Sequence, residues 1–141
     1  MPADDVTLED RLPTPQEHRR LAEAVGWAHA FDWPSQPASL AGSTLGVVAV
    51  TDAGEAVGMA RVVGDGVKYF MVQDVVVLPD RQGRGIGRAL LARVLDLIAE
   101  CAPAPAFVTL FATAEGSALY RAAGFEVGDM TGMVRLVDPR G

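Results

Sequence analysis

One cysteine in 141 residues, Cys101, leaves no partner for an internal disulfide and no thiol cluster for a metal. A reducing intracellular compartment is the simplest setting for such a chain. Met1 to Arg11 lacks the basic start and apolar stretch of a secretion signal, and no apolar run approaches the roughly 20 residues of a membrane span. The expectation is a soluble, cytoplasmic protein with no metal centre and no membrane partner. Positive charge is scarce too: 12 basic residues against 18 acidic leave a net charge of -6, which argues against nucleic acid and favours a cationic partner. No repeat or low-complexity linker interrupts residues 1–141, a length that suits one domain burying about two-thirds of its unfolded surface.

Within this acidic chain, Arg81, Arg84, Arg88 and Arg93 concentrate four of the twelve basic residues into one short window. That window lies in "LPDRQGRGIGRALLARVLDLIAE", Leu78 to Glu100. Upstream, Thr44 to Thr51, Ala56 to Val63 and Val67 to Leu78 are β-branched runs separated by "DAGE" and "GDG", the loop chemistry of tight hairpins. They predict an antiparallel meander whose long third strand bends or bulges. Downstream, Ile86, Leu90, Leu91, Val94, Leu95 and Ile98 recur at helical spacing. Pro15 to Val25 reads as a helix with Thr14 as N-cap, and Gly26 to Gly42 as an aromatic, proline-punctuated stretch with at most short helical turns. Ala106 to Phe111 predicts a strand, Ala114 to Ala123 a helix, and Phe125 to Val127 and Met133 to Val137 final strands. The order defines a mixed α/β architecture.

Gly83, Gly85 and Gly87 stand between a strand and a helix start, where free NH groups and the helix dipole favour an anion. Dinucleotide folds place G-x-G-x-x-G in a parallel βαβ unit, whereas these glycines run G-x-G-x-G after a meander. A P-loop needs Lys and Ser or Thr after its last glycine, but Arg88 and Ala89 follow Gly87. What fits is Q-x-x-G-x-G, with Gln82, Gly85 and Gly87 after "VVVLP", followed by a helix, a strand and "SALYRAAGF". In that sequence of features the chain resembles the GCN5-related N-acetyltransferase (GNAT) superfamily, over roughly Gly46 to Val127.

The resemblance implies an acyl-CoA N-acyltransferase fold, a mostly antiparallel splayed sheet flanked by helices. It also implies an acetyl-CoA-dependent N-acetyltransferase in which an uncharged amine attacks the thioester directly, through a tetrahedral intermediate. Backbone groups of Gln82, Gly83, Arg84, Gly85, Ile86, Gly87 and Arg88 would cradle the CoA pyrophosphate, with the side chains of Arg84 and Arg88 ahead of Arg81. Val75, Val76 and Val77 would pair through their backbones with the pantetheine arm, and a nearby backbone NH would hold the oxyanion. Tyr120 would be the general acid for the leaving thiolate. Asp74, a carboxylate in the apolar strand "MVQDVVV", is the candidate base, with a structural carboxylate holding a neighbouring loop weighed equally. Thr113 stands where many members carry a cofactor-contacting asparagine, which weakens one contact.

The acceptor would be a small-molecule amine or a peptide amine, drawn in by the acidic surface. Trp27, His29, Phe31, Trp33, Tyr69 and the Met130 to Met133 loop are the candidates to line its pocket, most of them as packing residues. Homodimers are common among proteins of this kind, and one sequence leaves the oligomeric state open. The alternative reading is a CoA-binding sensor or partner module without turnover; Tyr120 favours the enzyme, and the missing asparagine favours the module.

Overall fold

Thr14 opens the first helix, α1 (Pro15–Ala24), with a reciprocal cap: its hydroxyl accepts from the Glu17 NH at 3.1 Å while the Glu17 carboxylate accepts from the Thr14 NH at 2.8 Å. Pro15 occupies the first turn, where its missing NH costs nothing. The buried face of the helix carries His18, Leu21 and Ala22.

The computed structural model describes residues 5–141. They divide into two compact units, one ending at Leu110 and one running from Phe111 to Gly141. The first is built on five strands in chain order: β1 (Val6–Glu9), β2 (Leu45–Thr51), β3 (Ala56–Gly64), β4 (Tyr69–Val77) and β5 (Phe107–Thr109). All neighbours are antiparallel except β4 and β5, which run parallel. The expected meander is therefore present, and its turns use the expected chemistry. In the second turn the Asp65 carboxylate accepts from the NH groups of Val67, Lys68 and Tyr69 at 2.8, 2.8 and 3.1 Å, which also holds its pKa below the usual aspartate value.

The long third strand does bulge. Gln73 pairs with Arg61 and Val76 with Met59, so Asp74 and Val75 together stand opposite Ala60. Asp74 takes a left-handed φ of 52°, which among the described residues no other non-glycine residue does.

Helices cover both faces of the sheet. Leu21 of α1 packs with Val48, Val50, Met59 and Val76, whereas a Cβ placed on Gly58, next to Met59 and so on the opposite face, would meet Leu90 Cδ1 at 3.1 Å and Ile86 Cγ2 at 3.3 Å. Those two belong to α3 (Ile86–Cys101), which buries Ile86, Leu90, Leu91, Val94 and Ile98. With both faces covered, β2 is buried continuously from Gly46 to Val50. Gly58 also lies under the Val76 carbonyl, 3.1 Å from the same Cβ, so Gly58→Ala overpacks the seat of α3. It is expected to lose about 1–3 kcal/mol in urea unfolding; an unchanged midpoint would show that α3 can lift without cost.

Residues 26–42 form a 3-10 turn at Ala28–Ala30 and a short helix, α2 (Gln36–Ala41), as their punctuation predicts. The second unit contains one helix, α4 (Ser117–Ala122), shorter than the predicted Ala114 to Ala123. The strands predicted at Phe125 to Val127 and Met133 to Val137 do not form. Their apolar residues are there, but Val127 is 81% exposed and Leu136 90%; a strand exists through the ladder it shares, and among the described residues none pairs with these segments. Conversely β1 was not predicted, because "VTLE" carries two apolar residues among acids and finds its order in pairing with β2. Among the described residues no helix is long and apolar enough to cross a membrane.

Candidate active site

β4 leads through a 3-10 turn at Pro79–Arg81 into the glycine loop and the start of α3. Gly83 and Gly85 take left-handed φ values of 77° and 84°, backbone that side-chain-bearing residues adopt reluctantly. Gly85 is the N-cap of α3 and supplies no side-chain cap, and no acidic residue sits in the first turn. The NH groups at the helix start, from Ile86 to Arg88, thus lack intrahelical acceptors and meet the positive end of a 16-residue helix. Gln82 fastens the loop to the strand, donating from Nε2 to the Val77 carbonyl at 3.0 Å. That bond engages one backbone group otherwise expected to serve the cofactor.

The four arginines divide into two roles. Arg81 is committed to Asp5, with Nη1 at 3.0 and 2.9 Å from the two carboxylate oxygens, and Arg93 to Asp10 at 2.9 and 2.6 Å. Each pairing lowers the pKa of its aspartate through the arginine hydrogen bond. Arg84 and Arg88 form no salt bridge among the described residues, which leaves their guanidinium charge for a ligand.

β4 itself is half sealed. β5 pairs only with Tyr69, Phe70 and Met71, so Val75, Val76 and Val77 have β3 on one side and, among the described residues, no strand on the other. An open edge that runs straight into an uncapped, glycine-lined helix start suits an extended ligand ending in phosphates. The chain's residues fit the arm and pyrophosphate of a CoA thioester.

Asp74 is buried, and its carboxylate is already engaged. Oδ2 accepts from Arg61 Nε at 2.8 Å and faces His18 Nε2 at 3.3 Å. Arg61 in turn donates from Nη1 to the Ser39 carbonyl at 3.3 Å and the Ser43 hydroxyl at 3.0 Å, tying the α2 segment to the bulge. Burial alone would raise the Asp74 pKa, but hydrogen bonds from His18 and Arg61, with the charge of Arg61, leave it below the ordinary aspartate value. A carboxylate held ionised in this way takes up a proton poorly. These contacts tie Asp74 to α1 and, through Arg61, to the α2 segment.

His18 and Arg61 escaped the sequence reading, although each carried a signal. His18 precedes Leu21, Ala22 and Val25 by three, four and seven residues and so lies on their apolar stripe, and Arg61 is a lone charge within the apolar run "GMARVV". Around His18, Phe31 and Trp33 pack at ring distances of 5.2 and 6.0 Å, with the Arg19 guanidinium stacked over Trp33. Trp27 packs against the Leu21–Met59–Val76 cluster, whereas His29 is exposed. Tyr69 is exposed and, edge-on to Phe107, helps line a shallow groove of about 300 Å³ on β3, β4 and β5.

In the second unit Tyr120 is half-buried on α4, edge-on to Phe125, and burial raises its pKa. The Thr113 hydroxyl accepts from the Gly116 NH at 3.2 Å, so it caps the turn that begins the helix. Met130 and Met133 are exposed. Among the described residues no group of three or more His, Cys, Asp or Glu side chains is placed to hold a metal ion.

Comparison with known proteins identifies the class of fold that carries this open strand edge and glycine loop. Residues 43–127 match the family model of the acetyltransferase (GNAT) domain. The chain belongs to the GNAT acetyltransferase family. It is similar to serotonin N-acetyltransferase 2, chloroplastic, of Oryza sativa subsp. japonica, with 41% identity over 78 residues. That match covers 55% of this chain and 38% of the rice protein. A GNAT-family acetyltransferase from Streptococcus pneumoniae TIGR4 is 30% identical, with a TM-score of 0.79 over 94% of this chain and 98% of that one. A GNAT-family acetyltransferase from Brucella melitensis, solved in complex with acetyl-CoA, shares the fold at a TM-score of 0.66 and 24% identity, over 86% of this chain and 83% of that one.

Proposed function

We propose that this chain transfers the acetyl group of acetyl-CoA to a primary amine of a small cationic molecule, by direct attack through a tetrahedral intermediate. The observation that carries the reading is the unpaired half of β4 running into the glycine-lined, uncapped start of α3. In this reading the NH groups from Gly83 to Arg88 hold the pyrophosphate, Arg84 and Arg88 add charge, and the backbone of Val75 and Val76 pairs with the pantetheine arm. The bulge at Asp74 and Val75 leaves backbone donors outside the regular ladder, where one serves the developing oxyanion. Tyr120, at the matching place in the closing-helix motif, donates a proton to the departing thiolate, and a pKa raised by burial keeps it protonated until then. Thr113 orders the approach to that helix.

The net charge of -6 supports a cationic acceptor, and the likeness to a serotonin N-acetyltransferase makes arylalkylamines the first acceptors to try. The test is thiol release from acetyl-CoA across a panel of arylalkylamines, polyamines and peptide amines. At least one amine should raise release well above hydrolysis, and Tyr120→Phe should lower kcat about 100-fold with little change in the affinity for acetyl-CoA. Release that no amine accelerates would overturn the reading, and an unaltered kcat in Tyr120→Phe would remove the tyrosine from it.

A further inference from the structure

The polar cluster beneath the bulge holds a histidine with one nitrogen unaccounted for. His18 is 1% exposed, and its Nδ1 is buried without a hydrogen-bond partner among the described residues. The other ring nitrogen, Nε2, faces Oδ2 of the Asp74 carboxylate, the same oxygen that Arg61 holds. A histidine kept only for packing would have both nitrogens satisfied or would be an apolar residue, because an orphaned polar atom in the interior is a standing cost. From this arrangement we propose that His18 is the proton acceptor of the transfer reaction and that Asp74 is its positioning residue. The inference rests on the acetyltransferase reading given above.

The chemistry follows from the order of contacts. Asp74 accepts the Nε2 hydrogen and so selects the tautomer whose lone pair lies at Nδ1. Arg61 keeps Asp74 ionised, so the carboxylate stabilises the imidazolium once the ring is protonated without taking the proton itself. When the amine nitrogen attacks, a C–N bond forms and its surplus proton is relayed through water to Nδ1, which is closed to the amine itself. The C–S bond then breaks, its electron pair leaves on sulfur, and the thiolate takes the proton assigned to Tyr120. Solvent afterwards removes the proton from His18 and restores that of Tyr120.

The placement suits this role. Asp74 lies at the bulge immediately before the open backbone of Val75 to Val77, so the dyad adjoins the strand that receives the thioester in the proposed reaction. Phe31 and Trp33, half-buried, form an aromatic wall on the ring, a surface that attracts an ammonium-bearing acceptor. The charged groups around His18 are Asp74 from β4, Arg61 from β3 and Arg19 from its own helix, the last turned outward over Trp33.

His18→Gln keeps an NH for Asp74 and removes the basic lone pair. With an amine that the wild type acetylates, kcat is expected to fall about 100-fold and the Kd for acetyl-CoA to stay within twofold. Activity within threefold of wild type overturns the assignment. Should the variant fail to fold, nitrogen-15 spectra of the imidazole in wild-type protein decide: Nδ1 must be unprotonated where the enzyme is active, and a hydrogen found there overturns the proposal. A wild type that binds acetyl-CoA but acetylates nothing defeats the acetyltransferase reading and this inference with it. An active wild type matched by His18→Gln defeats this inference alone.

Discussion

Asp74→Ala is expected to remove about 3–5 kcal/mol of folding stability, a large share of the roughly 5–15 kcal/mol that a domain of this size commands. Two causes add. Deleting the carboxylate strands the Arg61 guanidinium in the interior, where Asp74 is its ionised partner at 2.8 Å. Alanine must also hold the left-handed φ of 52° at the bulge, which aspartate tolerates better. Asp74→Asn should suffer less, since asparagine adopts that conformation and can still accept from Arg61. Urea unfolding at neutral pH measures both, and a loss below 1 kcal/mol for the alanine variant would mean that the buried pair contributes nothing net. The pH dependence has a definite sign. The folded-state pKa of Asp74 is lowered, so its contribution is fully present above the ordinary aspartate value and is lost as pH falls through the lower folded value. The gap between wild type and Asp74→Ala should therefore narrow in acid, below about pH 4, and a gap that widened there would contradict the assignment.

Gly85→Glu is expected to weaken acetyl-CoA binding about 1,000-fold, measured by calorimetry. The left-handed φ of 84° resists any side chain, at about 1–2 kcal/mol. More damaging is the new carboxylate at the N-cap of α3: it would answer the free NH groups and the helix dipole from within the chain and so compete with the phosphates for the same charge. Gly54→Glu is the matching control, because Gly54 has nearly the same φ, 82°, and open space around it, but lies in the turn between β2 and β3. Equal losses in the two variants would point to general strain, and an unchanged affinity in Gly85→Glu would remove the pyrophosphate from this loop.

What could be read from the residues was whatever is local. Thr14 and Pro15 announce α1, the spacing of Ile86, Leu90, Leu91 and Val94 announces α3, and the turns around Gly54 and Asp65 announce the hairpins. The glycine loop's place between strand and helix was legible for the same reason, since its backbone conformation is set within one short segment. Features that depend on a distant partner were hidden. The Asp74 carboxylate could be recognised as needing a partner, but nothing near it in the chain says that the partners are 13 and 56 residues away, at Arg61 and His18. Arg81 looked like a phosphate ligand until Asp5, 76 residues distant, was found to hold it. The strand β1 and the unpaired tail err in opposite directions for one cause: whether an extended segment becomes a strand is decided by the neighbour it meets.

The order of the sheet gives the glycine loop a place in folding as well as in binding. Strands β2, β3 and β4 follow one another through the short turns 52–55 and 65–68, so their pairing closes only short loops. Only the passage from β4 to β5 crosses over, and that crossover carries both the loop and α3. The short turns therefore favour early pairing of β2, β3 and β4, the strand that carries the bulge. The glycine loop thus belongs to the crossover rather than to the hairpins, and a change in it leaves the paired strands β2 to β4 with their own turns and ladders intact.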